Sequence, residues 1–314
     1  GARGTPVRSD FGTRPADEEP VLSTCTPTGV RERLGDQMSV DADVVEHYGG
    51  DNLLAAIEAG LDAMGLTPAT ATIDVLGPVD EFHVGGRPAT TDLCERLGVE
   101  SDSTLVDVGC GIGGTARFLA STFGCEVTGV DLAPTYVAVA RELTAWTGLG
   151  DSVRFEVGSA LEMPLDAESF DGAVQLHVGM NIEDKQRLCN EVFRVLRPGG
   201  RYALYDIMRT SDDPLTYPVP WAANESMSFV DELPSYRTAL ESAGFEVEQV
   251  RHRGAFAIEF FAAMRKKSAS GGGPPPLGLH IILGQDAPLK IANMVDAISA
   301  GTIAPVEIIS RKPG

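Results

Sequence analysis

Paired cysteines, lysine, aromatic side chains and long apolar runs are what this chain of 314 residues has least of, and each shortage excludes something. Five cysteines, Cys25, Cys94, Cys110, Cys125 and Cys189, form no C-x-x-C pair and leave one over. That pattern argues against a disulfide scaffold and for a reduced compartment, so cytoplasm is the expected location. No apolar run reaches the roughly 18 to 20 residues that a membrane span requires, and the start lacks the apolar core of a secretory signal. Lysine occurs only at 185, 266, 267, 290 and 312, against 45 acidic residues and a formal charge of −20. A nucleic-acid binder needs a cationic surface to displace counterions from phosphates, so RNA and DNA are excluded as expected partners. No internal repeat is visible.

What is present is concentrated at Leu105-Val106-Asp107-Val108-Gly109-Cys110-Gly111-Ile112-Gly113-Gly114, a buried-strand pattern breaking into a glycine turn that opens a helix. Glycines let the backbone turn tightly and approach a ligand closely, while the first helical amides point at it. By letter the run also satisfies G-x-G-x-x-G through Gly109, Gly111 and Gly114, with Asp131 about 20 residues on, the dinucleotide fingerprint. Asp107 separates the two ligands that compete for such a turn. A carboxylate there repels a pyrophosphate and attracts an ammonium group. S-adenosylmethionine carries that ammonium, a sulfonium and no phosphate.

Residues 1–39 are rich in Gly, Pro and Thr and read as a flexible lead-in, with residues 40–314 as a single domain. Asp51-Asn52 is expected to cap a helix with Leu53, Leu54, Ile57, Leu61 and Met64 at helical spacing, and Pro88 to open a second helix through Leu93 and Leu97. Strand and helix then alternate over a core at 104–206, the pattern of a parallel sheet with helices on both faces. A long polar, Pro-rich stretch, Ile207 to Leu233, is expected as a lid carrying Tyr217, Trp221 and Phe229. A helix over Pro234–Ala243, a strand over Gly244–Val250, a helix around Phe256–Arg265, a flexible linker at 268–278, a helix over Pro288–Ala300 and a last strand over Ile303–Ser310 complete the reading.

Val106 to Gly114 resembles the first motif of class I S-adenosylmethionine-dependent methyltransferases, and further matches follow in order. They are Asp131 after Cys125–Val130, Gly158-Ser159-Ala160-Leu161, Phe170–Gln175, and Val195–Leu204 with its Pro198-Gly199-Gly200 turn. Pro78 to Thr91, including Asp80-Glu81-Phe82-His83-Val84-Gly85-Gly86, resembles the segment preceding the fold in sarcosine and dimethylglycine methyltransferase-like proteins of the type 11 group. The resemblance implies an α/β, doubly wound, Rossmann-like fold: a mostly parallel seven-stranded sheet with N-terminal helices and a lid insertion after the fifth strand. It implies S-adenosylmethionine as cofactor, held by Asp107, Gly109, Cys110, Gly111, Gly113, Asp131, Leu132, Ser159, Ala160, Leu161 and Gln175. Ser159 stands where the family usually has an acid for the adenine amine.

The implied reaction is methyl transfer to a small molecule. A small amine such as sarcosine or dimethylglycine is the first expectation, with C- or O-methylation of a quinone or phenolic ring as the alternative. A non-catalytic cofactor-binding protein stays open, because the glycine motif speaks to binding and not to turnover. His83 and His177 are the candidate catalytic residues, the latter after the fourth strand, where doubly wound sheets place their ligands. His177, Asn181, Tyr217 and Trp221 are expected to bind the acceptor, with Arg87 or Arg209 as candidate partners for a carboxylate on it. No metal is expected, and a homodimer is left open, since the sequence does not set the oligomeric state.

Overall fold

The computed structural model describes residues 52–270 and 275–314, with side chains at 52–267 and 275–314, all within the compact unit that runs from Ser39 to Gly314. The expected lead-in, the Asp51 part of the first cap and the middle of the expected linker lie outside the described residues.

Three helices precede the sheet: α1 (Leu53–Ala63), α2 (Ile73–Asp80) and α3 (Gly86–Leu97). Asn52 sits at the N-cap of α1 without making a side-chain cap bond. Helix α2 was not expected, because Gly77-Pro78 reads as a breaker. It forms because the Thr72 hydroxyl accepts the Val75 amide at 3.2 Å and because Leu76 and Val79 bury one face.

Strand β1 (Thr104–Val108) leads through the glycine turn into α4 (Gly114–Phe123). There follow β2 (Glu126–Asp131), α5 (Pro134–Trp146), β3 (Val153–Val157), β4 (Phe170–Leu176), α6 (Lys185–Val195), β5 (Leu196–Arg209), α7 (Leu233–Ala243) and β6 (Glu246–His252). Between β6 and the last strand lie α8 (Gly254–Ser270), α9 (His280–Leu283) and α10 (Ala287–Ala300), before β7 (Ile303–Arg311). The order β3-β2-β1-β4-β5-β7-β6 is the expected seven-stranded, doubly wound sheet, parallel except for β7, which runs antiparallel to both neighbours.

Three corrections follow. Strand β5 does not end near Asp206: its ladder with β7 continues to Arg209 opposite Ile303, so Ile207 to Arg209 belong to the sheet and not to a lid. Nor does Pro198-Gly199-Gly200 precede the strand. Arg197 to Gly200 bulge out between the pairs Phe170–Leu196 and Gly172–Arg201. Helix α8 also reaches Ser270, shortening the expected linker from its front.

One face of the sheet packs on α6 and α7 through Leu188, Val192, Tyr236 and Leu240, and the other on α3, α4 and α5 through Leu93, Leu119 and Val137. A third cluster, Val84, Met180, Ile207, Trp221, Phe261, Met294 and Ile298, lies where the segment after β5 meets α8 and α10. Its members bound the site.

Candidate active site

The glycine turn is built by conformations that side chains rarely adopt: Gly109, Gly111 and Gly113 have φ of +70°, +54° and +82°. Their surroundings differ. A Cβ on Gly109 would collide with Val178, and one on Gly113 would lie 2.5 Å from the Phe155 ring, so both glycines serve packing. A Cβ on Gly111 would meet nothing within 4 Å, so this backbone faces open space where a ligand can come close. The Asp131 carboxylate, at the end of β2, accepts the Gly111 amide at 2.8 Å and the Ala133 amide at 2.9 Å. Asp107 is 2% exposed, and its Oδ2 has no partner. Burial first, then the nearby Asp131 charge, push its carboxyl up to about 7. A buried, unpartnered acceptor beside an open glycine cradle fits a ligand with an ammonium group.

The remaining residues expected at the cofactor are placed unevenly. Leu132 and Ala160 are half-buried and Ser159 likewise, its hydroxyl accepting the Leu161 amide at 3.2 Å, which leaves one lone pair and the proton for a ligand. Leu161 and Cys110 are buried in the cores on either side of the sheet. Gln175 is fully buried and accepts the Tyr202 hydroxyl at 2.6 Å. Its Oε1 is thus engaged inside the sheet, while its Nε2 is buried without a partner.

His83 and His177 are brought together, with ring centroids 5.9 Å apart. The Thr90 hydroxyl donates to Glu81 Oε2 at 2.6 Å and lies 2.9 Å from His83 Nε2. Since that hydroxyl proton is used on Glu81, Nε2 must be the donor, and neutral His83 keeps its lone pair on Nδ1. Glu81 also pairs with Arg87, whose guanidinium lies 4.7 Å over the Phe118 ring. Burial lowers the His83 pKa despite the Glu81 charge. His177 stands in the left-handed region (φ +56°) at the end of β4, its amide donating to Tyr205 O at 2.7 Å. Its Nε2 is buried without a partner, and burial, then His83, push its pKa well below the ordinary value. The Tyr205 hydroxyl donates to Val84 O at 3.0 Å, fastening the His83 turn to the sheet.

These groups open onto a cavity of about 770 Å³. Glu81, His83, Arg87 and His177 are on its wall, and most of the rest is apolar, including Met180, Trp221, Phe260, Phe261, Ile291 and Met294. The glycine turn adjoins it through chain neighbours: Gly109 packs on Val178, next to His177, and Gly114 on Asp80, next to Glu81.

Of the residues expected to bind the acceptor, His177 and Trp221 line the cavity while Asn181 and Tyr217 do not. The Asn181 amide donates to Trp221 O at 2.9 Å, and Tyr217 packs half-buried in the third cluster. Arg209 donates to Asp213 O, away from the cavity. Glu81, Thr90 and the wall from α8 to α10 were not anticipated. A carboxylate two residues before a candidate base was the available signal for Glu81; nothing in the sequence pointed α8 to α10 at the site. No group of side chains suited to a metal ion occurs among the described residues.

Residues 106–204 match the family model described as a methyltransferase domain. The methyltransferase GfsG of Streptomyces halstedii is 32% identical over 193 residues, 58% of this chain and 69% of its own length. The probable chloroplastic tocopherol O-methyltransferase of Oryza sativa subsp. japonica is 41% identical over 98 residues, 31% of this chain and only 27% of that protein. Among solved structures, a putative sarcosine dimethylglycine methyltransferase from Galdieria sulphuraria superposes with a TM-score of 0.57 at 22% identity, covering 72% of this chain and 86% of that one.

Proposed function

The chain belongs to the class I S-adenosylmethionine-dependent methyltransferases, and from that premise we propose that it methylates an oxygen or carbon of a bulky, largely apolar small molecule. The observation that carries this reading is the cavity. About 770 Å³ lies toward the upper end of the range for sites that hold drug-sized ligands, roughly 300–1,000 Å³. An amino acid as small as sarcosine or dimethylglycine would leave most of that apolar space unfilled. Quinone or phenol methylation, the alternative in the sequence reading, therefore fits better than the amine. The relative that methylates tocopherol is named for an acceptor of this kind.

When bound, S-adenosylmethionine supplies an electrophilic methyl group on a sulfonium. Asp107 would hold its ammonium, Asp131 the ribose hydroxyls, and Gly111 would leave room for the ligand against the backbone. A hydroxyl or enol acceptor must lose a proton as its nucleophile forms, and His83 Nδ1 has the lone pair to take it. Glu81, 3.5 Å from Nε2 and bridged through Thr90, then stabilises the imidazolium. His177 stays neutral and orients the acceptor. Apolar walls keep water from the reacting atoms, and alignment of nucleophile with methyl can lower the barrier by about 7 to 11 kcal/mol.

The test is product mass analysis after incubation with S-adenosylmethionine and phenolic, enolic and amine acceptors. Turnover of phenols or enols that falls at least about 100-fold in His83→Gln, without loss of cofactor affinity, is expected. Turnover of dimethylglycine with the same variant fully active would refute both the acceptor and the base.

A further inference from the structure

We propose that the helices inserted between β6 and β7, residues 254–270 and 275–300, select the acceptor, and that they admit ring-sized acceptors lengthwise with the reacting end leading. This rests on the proposed methyl transfer to a bulky acceptor. Three helices each turn one face to the cavity: Asp74, Gly77 and Pro78 of α2, with Glu81 just past its end; Phe260, Phe261, Met264 and Lys267 of α8; and Ala287, Pro288, Ile291 and Met294 of α10. On α8 and α10 the spacing spans i to i+7, two turns of one helical stripe, and on α2 it spans one turn. The cavity is therefore a channel that follows the helices for about 10 Å, the rise of seven residues.

Its direction can be read from the ends. Phe261 and Met294 cluster with Val84, Met180 and Trp221, beside His83 and His177, so the inner end is where the titratable groups are. Asp74, Lys267 and His280 are exposed, so the outer end is a polar mouth. About 770 Å³ is more than a single alkyl chain of that length fills and has room for a ring system.

The wall is anchored in the middle of the insertion and near its C-terminal end. Leu277, Ile281 and Ile282 pack with Leu53, Ile57 and Leu61 of α1, while Met294, Val295 and Ile298 pack in the cluster around Trp221. The segment after β5, expected as the lid, contributes only Pro220 and Trp221 to the lining.

Three probes that share a phenolic hydroxyl and grow in ring count test the inference: phenol, 2-naphthol and estrone. Binding is measured by calorimetry in the presence of S-adenosylhomocysteine, and methyl transfer by product mass. In the wild-type chain kcat/KM is expected to rise at least about tenfold from phenol to estrone, one factor of ten per 1.4 kcal/mol of added contact. Ile291→Trp, which fills the channel halfway along, is expected to cut the estrone-to-phenol ratio at least tenfold, while Ile291→Ala holds or raises it. Tyr217→Phe, in the segment after β5, should leave the ratio where it was. Thermal melts establish that the variants fold. Estrone no better than phenol, or a ratio that Ile291→Trp leaves unmoved while Tyr217→Phe shifts it, overturns the inference. Estrone that binds according to the Ile291 series but is not methylated upholds the channel and refutes the proposed transfer. Phenol turnover without size preference does the reverse, and absence of both binding and turnover refutes both.

Discussion

Gly109 and Gly111 are two residues apart, both have positive φ, and only one of them faces a place for a ligand. Gly109→Ala should destabilise the fold, since the added methyl meets Val178 and the left-handed conformation alone costs about 1–2 kcal/mol. Gly111→Ala pays only the conformational part and should instead weaken S-adenosylmethionine binding. Urea unfolding and calorimetry on both variants check the contrast; equal losses of affinity at equal stability would contradict it. The motif was legible in the sequence, but the division of labour within it was not, because Val178 and Phe155 lie on distant stretches of chain. Asp107 was legible too, and its burial adds a pH dependence. Its carboxyl, raised to about 7 in the free protein, must ionise to hold an ammonium. Binding therefore releases a proton at low pH, and affinity should rise up to about tenfold between pH 6 and 7.5. Asp107→Asn should bind weakly and lose this slope. A wild-type affinity that is flat over that window would mean that Asp107 does not meet the ammonium.

Helix α2 is the element the sequence concealed, and it joins the acceptor side to the cofactor side. At its end Asp80 forms a fully buried ion pair with Arg117 of α4 at 2.5 Å, and the Asp80 backbone fills the space that leaves room for no side chain at Gly114. Burial outweighs the Arg117 charge and raises the Asp80 carboxyl to about 6, and without Arg117 the buried acid would be costlier still to ionise. Arg117→Met should destabilise the chain by about 3–5 kcal/mol by leaving a buried acid alone, whereas Arg117→Met with Asp80→Leu should recover most of that. Equilibrium unfolding in urea measures both, and a single variant of wild-type stability would refute the account. The element after β5 was legible as long and aromatic, but not as packed. Trp221 is 1% exposed, its indole donating to Ser228 Oγ at 3.0 Å, and Asn181 holds its carbonyl. Aromatic content alone does not distinguish a lid that opens from a segment with its own core.

At the scale of the whole molecule, the alternation of strand and helix over 104–206 made the sheet legible, most plainly at β1, an apolar run closed by Gly109, and β2, closed by Asp131. What period and composition could not convey was which late helices return to the site. Helices α8 and α10 read as ordinary amphipathic segments, and only the placement of β7 between β5 and β6 carries them back over the cavity. No helix among the described residues is long and apolar enough to cross a membrane. Among the described residues the four cysteines, Cys94, Cys110, Cys125 and Cys189, are buried and free. The most direct test of the account offers the chain S-adenosylmethionine carrying a labelled methyl group, together with an equimolar mixture of dimethylglycine and estrone, and follows the label. The account predicts label on the estrone ring hydroxyl or an adjacent ring carbon, dependent on His83 and Asp107. Label on dimethylglycine, with estrone untouched, would contradict it.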